Sequence, residues 1–141
     1  MFKTIVLATD GSEGAERAGR VAVDLARQNG AKLVLAHVDE RIAAKGDMPP
    51  VLPNEEKVQS ETKAKAEALS ADGVETSVEM GTVVLGGPGP AIVEIADRVG
   101  ADLIVTGTRG HSSLAGLLLG SVAHRLLHIS KRPVLAVPNP D

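Results

Sequence analysis

The chain has 141 residues and a formal net charge of −3, and it contains no cysteine, tryptophan or tyrosine. This length fits a single domain, predicted over residues 1–141, and the missing cysteines exclude disulfides and thiolate metal sites, as is typical of a cytoplasmic protein. The negative charge argues against general binding to nucleic acid or acidic membranes, and the first apolar run, residues 4–8, is too short for a signal peptide or a membrane span.

The first half of the chain alternates strand and helix patterns. Residues 3–9 form an apolar run that predicts a strand buried on both faces. Small and apolar residues at helical spacing then predict a helix of about 17 residues that ends at Gly30. Residues 32–38 predict a second buried strand, and the proline-rich segment 39–54 predicts an irregular loop.

The middle of the chain continues this alternation. A charged helix is predicted over residues 55–71. Its inward face is predicted to comprise Val58, Thr62, Lys65, Ala66 and Leu69. Residues 74–80 alternate polar and apolar side chains, which predicts a strand at a sheet edge. A glycine-rich loop, residues 81–89, then leads to a helix that begins at Pro90 and ends at Gly100.

The last part of the chain supplies two more strands, residues 102–106 and 133–137, with a helix over residues 121–129 between them. Strands that alternate with helices predict an α/β domain, a five-stranded parallel sheet with helices on both faces. The third and last strands suit the edges, which gives the order 3-2-1-4-5. Ligands of such sheets bind at the carboxyl ends of the strands where the strand order reverses, here between strands 1 and 4.

The glycine-rich segment after the fourth strand has the features of a phosphate site. Gly107 and Gly110 follow the strand, and nine residues later Gly120 and Ser121 precede the last helix. Glycine lets backbone N–H groups approach an anion without an intervening Cβ, and a helix N-terminus adds unpaired N–H groups and a positive dipole end. At the switch point this segment meets the exit of the first strand, residues 9–12.

Two of these positions also have a purely structural explanation. Asp10 with Glu13 three residues later has the pattern of a capping box, although a cap and a ligand contact can share one helix start. In the structural alternative for the last helix, Ser121 caps its N-terminus and binds no ligand.

The histidines indicate no metal site. His124 and His128 have the spacing of two zinc ligands on one helix face, but no third ligand accompanies them. His37, within the apolar second strand, is predicted to be a hydrogen-bonded core residue.

The chain resembles the universal stress protein family. The resemblance rests on the exit of the first strand, residues 10–12, on the run 102–110, on the Gly107-x-x-Gly110, nine residues, Gly120-Ser121 spacing, and on the closing residues 133–138. It covers essentially the whole chain and implies a cytoplasmic, usually dimeric, flavodoxin-like domain. Because the glycine signature is kept, it implies the ATP-binding members of the family.

The resemblance also implies which residues meet the nucleotide. Gly110, Gly120 and Ser121 would contact the phosphates, and Gly107 would lie beside the ribose. Further positions complete the implied pocket: Ala8, Thr9, Asp10, Val38, Arg109 and Val122.

Within that set the implied roles differ. Ala8 and the backbone of Val38 would border the adenine, and Val122 would close the floor of the pocket. Asp10 would fix the ribose or a metal-linked water.

The apolar last strand, residues 133–138, would be an exposed edge in a monomer, which predicts a homodimer formed through it.

The leading functional hypothesis is a stress-response module that holds ATP, with ADP and AMP as alternatives and with Mg²⁺, and signals its occupancy to an unidentified protein partner. No nucleophile with an adjacent base and no P-loop lysine is evident, so no catalytic residue is predicted. Slow hydrolysis or autophosphorylation at Ser112, Ser113 or Ser121 stays open. The alternative is a slow nucleotide hydrolase or adenylyl-transferring enzyme of the same architecture.

Overall fold

The computed structural model describes residues 1–9, 13–39, 53–82, 87–108 and 119–138. Within these ranges strands and helices alternate along the chain. The strands are β1 (Thr4–Thr9), β2 (Lys32–Asp39), β3 (Thr76–Thr82), β4 (Leu103–Gly107) and β5 (Val134–Val137). The helices are α1 (Glu13–Asn29), α2 (Pro53–Ala71), α3 (Pro88–Val99) and α4 (Ser121–Ile129).

The five strands form one parallel sheet in the order β3-β2-β1-β4-β5. The predicted fold class and strand order are therefore confirmed. Successive side chains of a strand point to opposite faces, so each central strand contributes to two cores. One core joins the sheet to α1 and α2, and the other joins it to α3 and α4.

Two helices, α1 and α3, end next to the glycines that were predicted to terminate them. Gly30 follows α1 with a φ of 63°, and Gly100 follows α3 with a φ of 66°. These are left-handed backbone conformations, which glycine adopts without the steric cost that a Cβ imposes. Both glycines are thus explained by the local backbone.

Several predicted boundaries differ from the observed ones. β2 includes Asp39 and α2 begins at Pro53, so the predicted irregular segment is shorter, and residues 40–52 lie outside the described residues. α3 begins at Pro88, not at Pro90. Either proline can occupy the first turn because neither N–H is needed there.

The third strand is also displaced from its predicted position. β3 pairs with β2 as far as Thr82, so Gly81 lies inside a strand and not in a loop. A methyl group at Gly81 would lie 3.3 Å from Cδ1 of Ile95, so the glycine serves the close packing of α3 on the sheet.

The predicted inward face of α2 is partly wrong. Thr62 and Ala66 are buried, as predicted, but Lys65 is exposed. A methyl group at Gly19 would lie 3.2 Å from Nζ of Lys65, so the lysine chain extends across α1 at this glycine. The long stem of lysine can cover a helix surface while its charge stays in water.

Candidate functional site

The two central strands separate at their carboxyl ends. The β1–β4 ladder runs from Ile5–Leu103 to Leu7–Val105 and stops two residues before β1 ends at Thr9 and β4 ends at Gly107. Both strands stay paired with their outer neighbours to the last residue. The predicted switch point is therefore where the sheet divides, the position at which parallel α/β sheets take their ligands.

Backbone hydrogen bonds hold the chain that leaves β4 against the chain that enters α4. The carbonyl of Thr108 accepts a hydrogen bond from the N–H of Gly120, and the N–H of Thr108 donates to the carbonyl of Val137 at 3.1 Å. Eleven residues separate Thr108 from Gly120 in the sequence. The N-terminus of α4 thus lies beside the carboxyl end of β4.

Gly120 has a backbone conformation that any residue can adopt. It is the N-cap of α4, with a φ of −70° and a ψ of 164°. Gly107, the last residue of β4, does not have a positive φ either. The backbone does not require glycine at either position, in contrast to Gly30 and Gly100. What these two glycines provide is the absence of a side chain, as close approach of a ligand requires.

The first turn of α4 has no side-chain cap among the described residues. Ser121 is the first helical residue and is exposed, so the alternative in which it caps the helix is wrong. The first helical hydrogen bond runs from the N–H of His124 to the carbonyl of Gly120 at 3.0 Å. The N–H groups of Ser121, Val122 and Ala123 precede it and have no helical partner, and with the helix dipole they favour an anion.

Three of the predicted pocket residues share one side of the sheet. Ala8 and Val38 are each 8% exposed, and the half-buried Val122 packs against the same core cluster that contains them. The predicted adenine-contacting positions and the first turn of α4 therefore lie on the same side of the sheet. Thr9 is half-buried at the end of β1. Asp10, Arg109 and Gly110 lie outside the described residues.

His37 makes a hydrogen bond near the site, to the end of β1, that the sequence did not predict. It is 4% exposed, and its Nδ1 lies 3.1 Å from the carbonyl oxygen of Thr9, at the exit of β1. The prediction of a hydrogen-bonded core residue agrees with this geometry. Its neighbour could have been inferred from the parallel register, which sets His37 level with Thr9.

The histidine pair on α4 is exposed. The ring centroids of His124 and His128 lie 4.6 Å apart in an edge-to-face arrangement. Across the part of the chain that the structure describes, no three potential metal-ligating side chains of His, Cys, Asp or Glu form a group. In the same ranges no helix is both long and apolar enough to cross a membrane.

Comparisons with known proteins place the chain in a family. Residues 1–138 match the model of the universal stress protein family. The chain is 37% identical over 144 aligned positions to the universal stress protein in the QAH/OAS sulfhydrylase 3′ region of Thermus aquaticus, with 97% of this chain and 99% of the relative covered.

Solved structures give the same result. A universal stress protein in complex with cAMP has a TM-score of 0.72 and 33% identity, with 96% of this chain and 97% of that chain covered. The universal stress protein from Archaeoglobus fulgidus in complex with dAMP has a TM-score of 0.68 and 26% identity, with 97% and 98% covered. From its sequence and its fold, the chain belongs to the universal stress protein family.

Proposed function

We propose that this protein is an adenine-nucleotide-binding regulatory module of the stress response, with ATP as its main ligand. The observation that carries the proposal is the start of α4, where a glycine in an ordinary backbone conformation precedes uncapped helical amides beside the end of β4. The complexes of similar proteins with cAMP and dAMP support an adenine nucleotide as the ligand class.

The phosphates would lie against the N-terminus of α4. The N–H of Gly120 already donates to Thr108, so the amides that receive the phosphate oxygens begin at Ser121 and Val122. In this arrangement Gly120 contributes room for the ligand, and Gly110 would also contact the phosphates, as the family resemblance implies. The hydroxyl of Ser121, an exposed residue, adds one donor.

The nucleoside would extend from α4 across the ends of β1 and β2. Ala8 and the backbone of Val38 would border the adenine, and Gly107 at the end of β4 leaves space for the ribose. Thr9 ends β1, and Asp10 follows it in the sequence. The Asp10 carboxylate is a suitable ligand for a Mg²⁺-bound water, since Mg²⁺ keeps several waters and takes oxygen ligands.

Arg109 would complete the pocket from the segment after β4, as a cation near the phosphates. No dedicated catalytic residue is assigned. The proposed role is to report nucleotide occupancy in the cytoplasm to a protein partner, as a homodimer formed through residues 133–138. The position of β5 at the sheet edge and the 37% exposure of Leu135 support that interface.

The first test uses the composition of the chain. Without Trp or Tyr the polypeptide absorbs almost nothing at 280 nm, so a 260 nm band in the purified protein reports a carried nucleotide. Denaturation should release that band into the supernatant, where chromatography identifies ATP, ADP or AMP.

The second test is a titration of nucleotide-free protein with ATP, ADP, AMP and cAMP, with and without Mg²⁺. We expect saturable binding, tightest for ATP with Mg²⁺, and little turnover over hours. Multiple turnovers would favour the hydrolase alternative, and no binding of any of the four nucleotides at millimolar concentration would refute the proposal.

A further inference from the structure

We infer that Thr106 is a further contact residue of the nucleotide site, where its side-chain hydroxyl binds a hydroxyl group of the ribose. The inference rests on the proposed function and deepens it, because it names the part of the nucleotide that this side chain recognises. Thr106 precedes Gly107 in β4 and is not among the positions that the family resemblance implies.

The hydroxyl of Thr106 is a polar group in an otherwise apolar part of β4. Residues 103–105 are leucine, isoleucine and valine, all of them buried, and Thr106 is itself only 5% exposed. Valine has the same branched shape as threonine and would fill this position without the cost of burying a hydroxyl. A buried hydroxyl that is kept here is expected to have a hydrogen-bond partner.

The hydrogen bond that this hydroxyl makes within the chain is a long one. Oγ1 of Thr106 lies 3.2 Å from the carbonyl oxygen of Gly107, whereas hydroxyl donors usually lie about 2.7–2.8 Å from their acceptors. Thr62, the other buried threonine in the described ranges, has the usual distance, 2.7 Å from Oγ1 to the carbonyl of Val58. In its bond to Gly107 the Thr106 hydroxyl donates and uses neither of its acceptor lone pairs, so it can accept a hydrogen bond from a ligand.

The side chain of Thr106 lies on the same side of the sheet as the proposed adenine contacts. Side chains alternate along a strand, so Thr106 shares its face with Ile104, which belongs to the core beneath α3 and α4. The β1–β4 register, continued one residue past its last pair, sets Ala8 level with Thr106, and the β4–β5 register pairs Thr106 with Ala136. Both neighbours end at Cβ, so they take up little of the space beside the threonine.

The carbonyl that accepts from Thr106 points into the gap between β1 and β4. At Ile104 and again at Thr108 the N–H donates to a carbonyl on the β5 side. The N–H and C=O of one residue point to the same side of an extended strand, and those of the next residue point to the opposite side, so the carbonyl of Gly107 faces β1. The β1–β4 ladder stops before this level. The Gly107 carbonyl and the Thr106 hydroxyl therefore lie where the sheet divides.

A sugar hydroxyl is a suitable partner for these two oxygen atoms. It can donate to Oγ1 of Thr106 while Thr106 continues to donate to the carbonyl of Gly107, the residue proposed to lie beside the ribose. Phosphate oxygens cannot donate in this way, and they are proposed to bind the amides of α4. The contact therefore distinguishes ribose from deoxyribose.

The experiment compares ATP with 2′-deoxyATP and 3′-deoxyATP by isothermal titration. We expect the unaltered protein to bind at least one of the two analogues about three- to tenfold more weakly than ATP, the loss of one neutral hydrogen bond. The analogue that binds weakly identifies the hydroxyl. In Thr106→Val the difference should fall to within about twofold for one of the analogues, because the side chain keeps its shape and loses its oxygen. Thr106→Ser keeps the hydroxyl and should keep the difference.

Thr62→Val is the matched control, since it removes the other buried threonine hydroxyl, on α2. It should leave the affinity ratios of the three nucleotides unchanged. Thr106→Val should keep or raise the Tm, measured by far-UV circular dichroism, because the bond it removes is long and a buried hydroxyl costs free energy.

Equal affinity of the unaltered protein for ATP and both deoxy analogues would overturn the inference, and this measurement needs no variant to fold. A preference for ATP that Thr106→Val retains in full against both analogues would overturn it as well. If the unaltered protein binds none of the three nucleotides, the proposed function fails and the inference fails with it, which is distinct from binding all three equally.

Discussion

Gly100 and Gly120 adopt different backbone conformations, and substitution by serine should affect them in opposite ways. Gly100 has a φ of 66°, whereas Gly120 has a φ of −70° at the N-cap of α4. Serine is among the preferred N-cap residues and is more favourable there than glycine by a few tenths of a kcal/mol. Position 120 therefore holds a residue that caps the helix less well than serine would, which is consistent with a site that needs room and unpaired amides.

We expect Gly120→Ser to keep or slightly raise thermal stability while weakening ATP binding at least about tenfold, because the new side chain occupies the approach and bonds the helical amides. Gly100→Ser is the matched control. It should cost about 1–2 kcal/mol of stability through its left-handed backbone and leave ATP affinity unchanged. Isothermal titration and thermal unfolding measure both effects, and ATP affinity retained in Gly120→Ser would contradict the proposed phosphate position.

Ser121→Ala tests the hydroxyl at the start of α4. Loss of one hydrogen bond to a charged phosphate should weaken ATP binding by about 1.5–3 kcal/mol, with little effect on stability because the hydroxyl does not cap the helix. An unchanged Kd would remove Ser121 from the site.

Ser130→Ala serves as the control at the other end of the same helix. The Ser130 hydroxyl donates to the carbonyl of Arg132 at 2.8 Å and accepts from the N–H of Arg132 at 3.1 Å. Its loss should lower stability without altering ATP affinity.

At the scale of single residues, the sequence predicted that Gly100 ends a helix and that Gly120 leaves room at the start of one. It did not predict that only Gly100 has a left-handed backbone, because that difference is a dihedral angle. The bond from His37 to Thr9 was missed for a related reason: it joins two strands, and a single-strand pattern contains no information about which atoms face each other.

At the scale of the elements, Asp102 ties the start of β4 to the start of β1. Its Oδ2 accepts hydrogen bonds from the N–H groups of Lys3 at 2.7 Å and Thr4 at 2.9 Å. The N–H of Thr4, and next that of Lys3, lower the pKa of the Asp102 carboxyl, because hydrogen bonds to the charged form stabilise it.

The sign of the resulting pH dependence follows from this lowered pKa. The contribution of Asp102 to stability is fully present above about pH 4, the ordinary pKa of aspartate, and it is lost as pH falls through the lowered folded-state pKa. Asp102→Ala should therefore lower the Tm at neutral pH, and the difference from the unaltered protein should shrink as the pH falls below about 4.

Thermal unfolding followed by far-UV circular dichroism across this pH range measures the effect. Asp24→Ala, at an exposed position on α1, is the control for removing a carboxylate. A Tm difference for Asp102→Ala that stays constant with pH would contradict the assignment.

The element boundaries illustrate a limit of sequence patterns. The type and order of the elements followed from hydrophobic periodicity, yet β3 begins and ends two residues later than predicted. Gly81 suggested a loop because glycine is common in turns, whereas its actual role is to let Ile95 of α3 approach the strand. A tertiary contact decided the boundary, and such a contact has no local signal.

At the scale of the whole molecule, the strand order could be predicted because the third and last strands suit the edges and the connections are right-handed. β5 is one of the two edges of the sheet, opposite β3. The carbonyls of Pro133 and Val137 accept from Ile104 at 3.0 Å and Thr108 at 3.1 Å, so odd-numbered residues of β5 bond to β4. The backbone of Ala136 consequently faces away from the sheet, where a second copy would pair.

Ala136→Pro should convert the proposed dimer into a folded monomer, because it removes an N–H that β4 does not use. Leu135→Pro is the matched control and should impair folding, since its N–H faces β4. Sedimentation equilibrium and circular dichroism distinguish these outcomes. A dimeric Ala136→Pro variant would show that β5 is not the interface.

Thr108 is hydrogen-bonded both to Val137 of the edge strand β5 and to Gly120, the N-cap of α4, where the phosphates are proposed to bind. A ligand that displaced the start of α4 would therefore act, through Thr108, on β5, the strand at which the subunits are proposed to associate. Thermodynamic linkage makes such communication reciprocal: the factor by which saturating ATP changes the association constant of the subunits must equal the product, over the two sites of the dimer, of the factors by which association changes ATP affinity. Ala136→Pro supplies the affinity of the monomer, and dilution of the unaltered protein with and without ATP supplies the other half of the cycle.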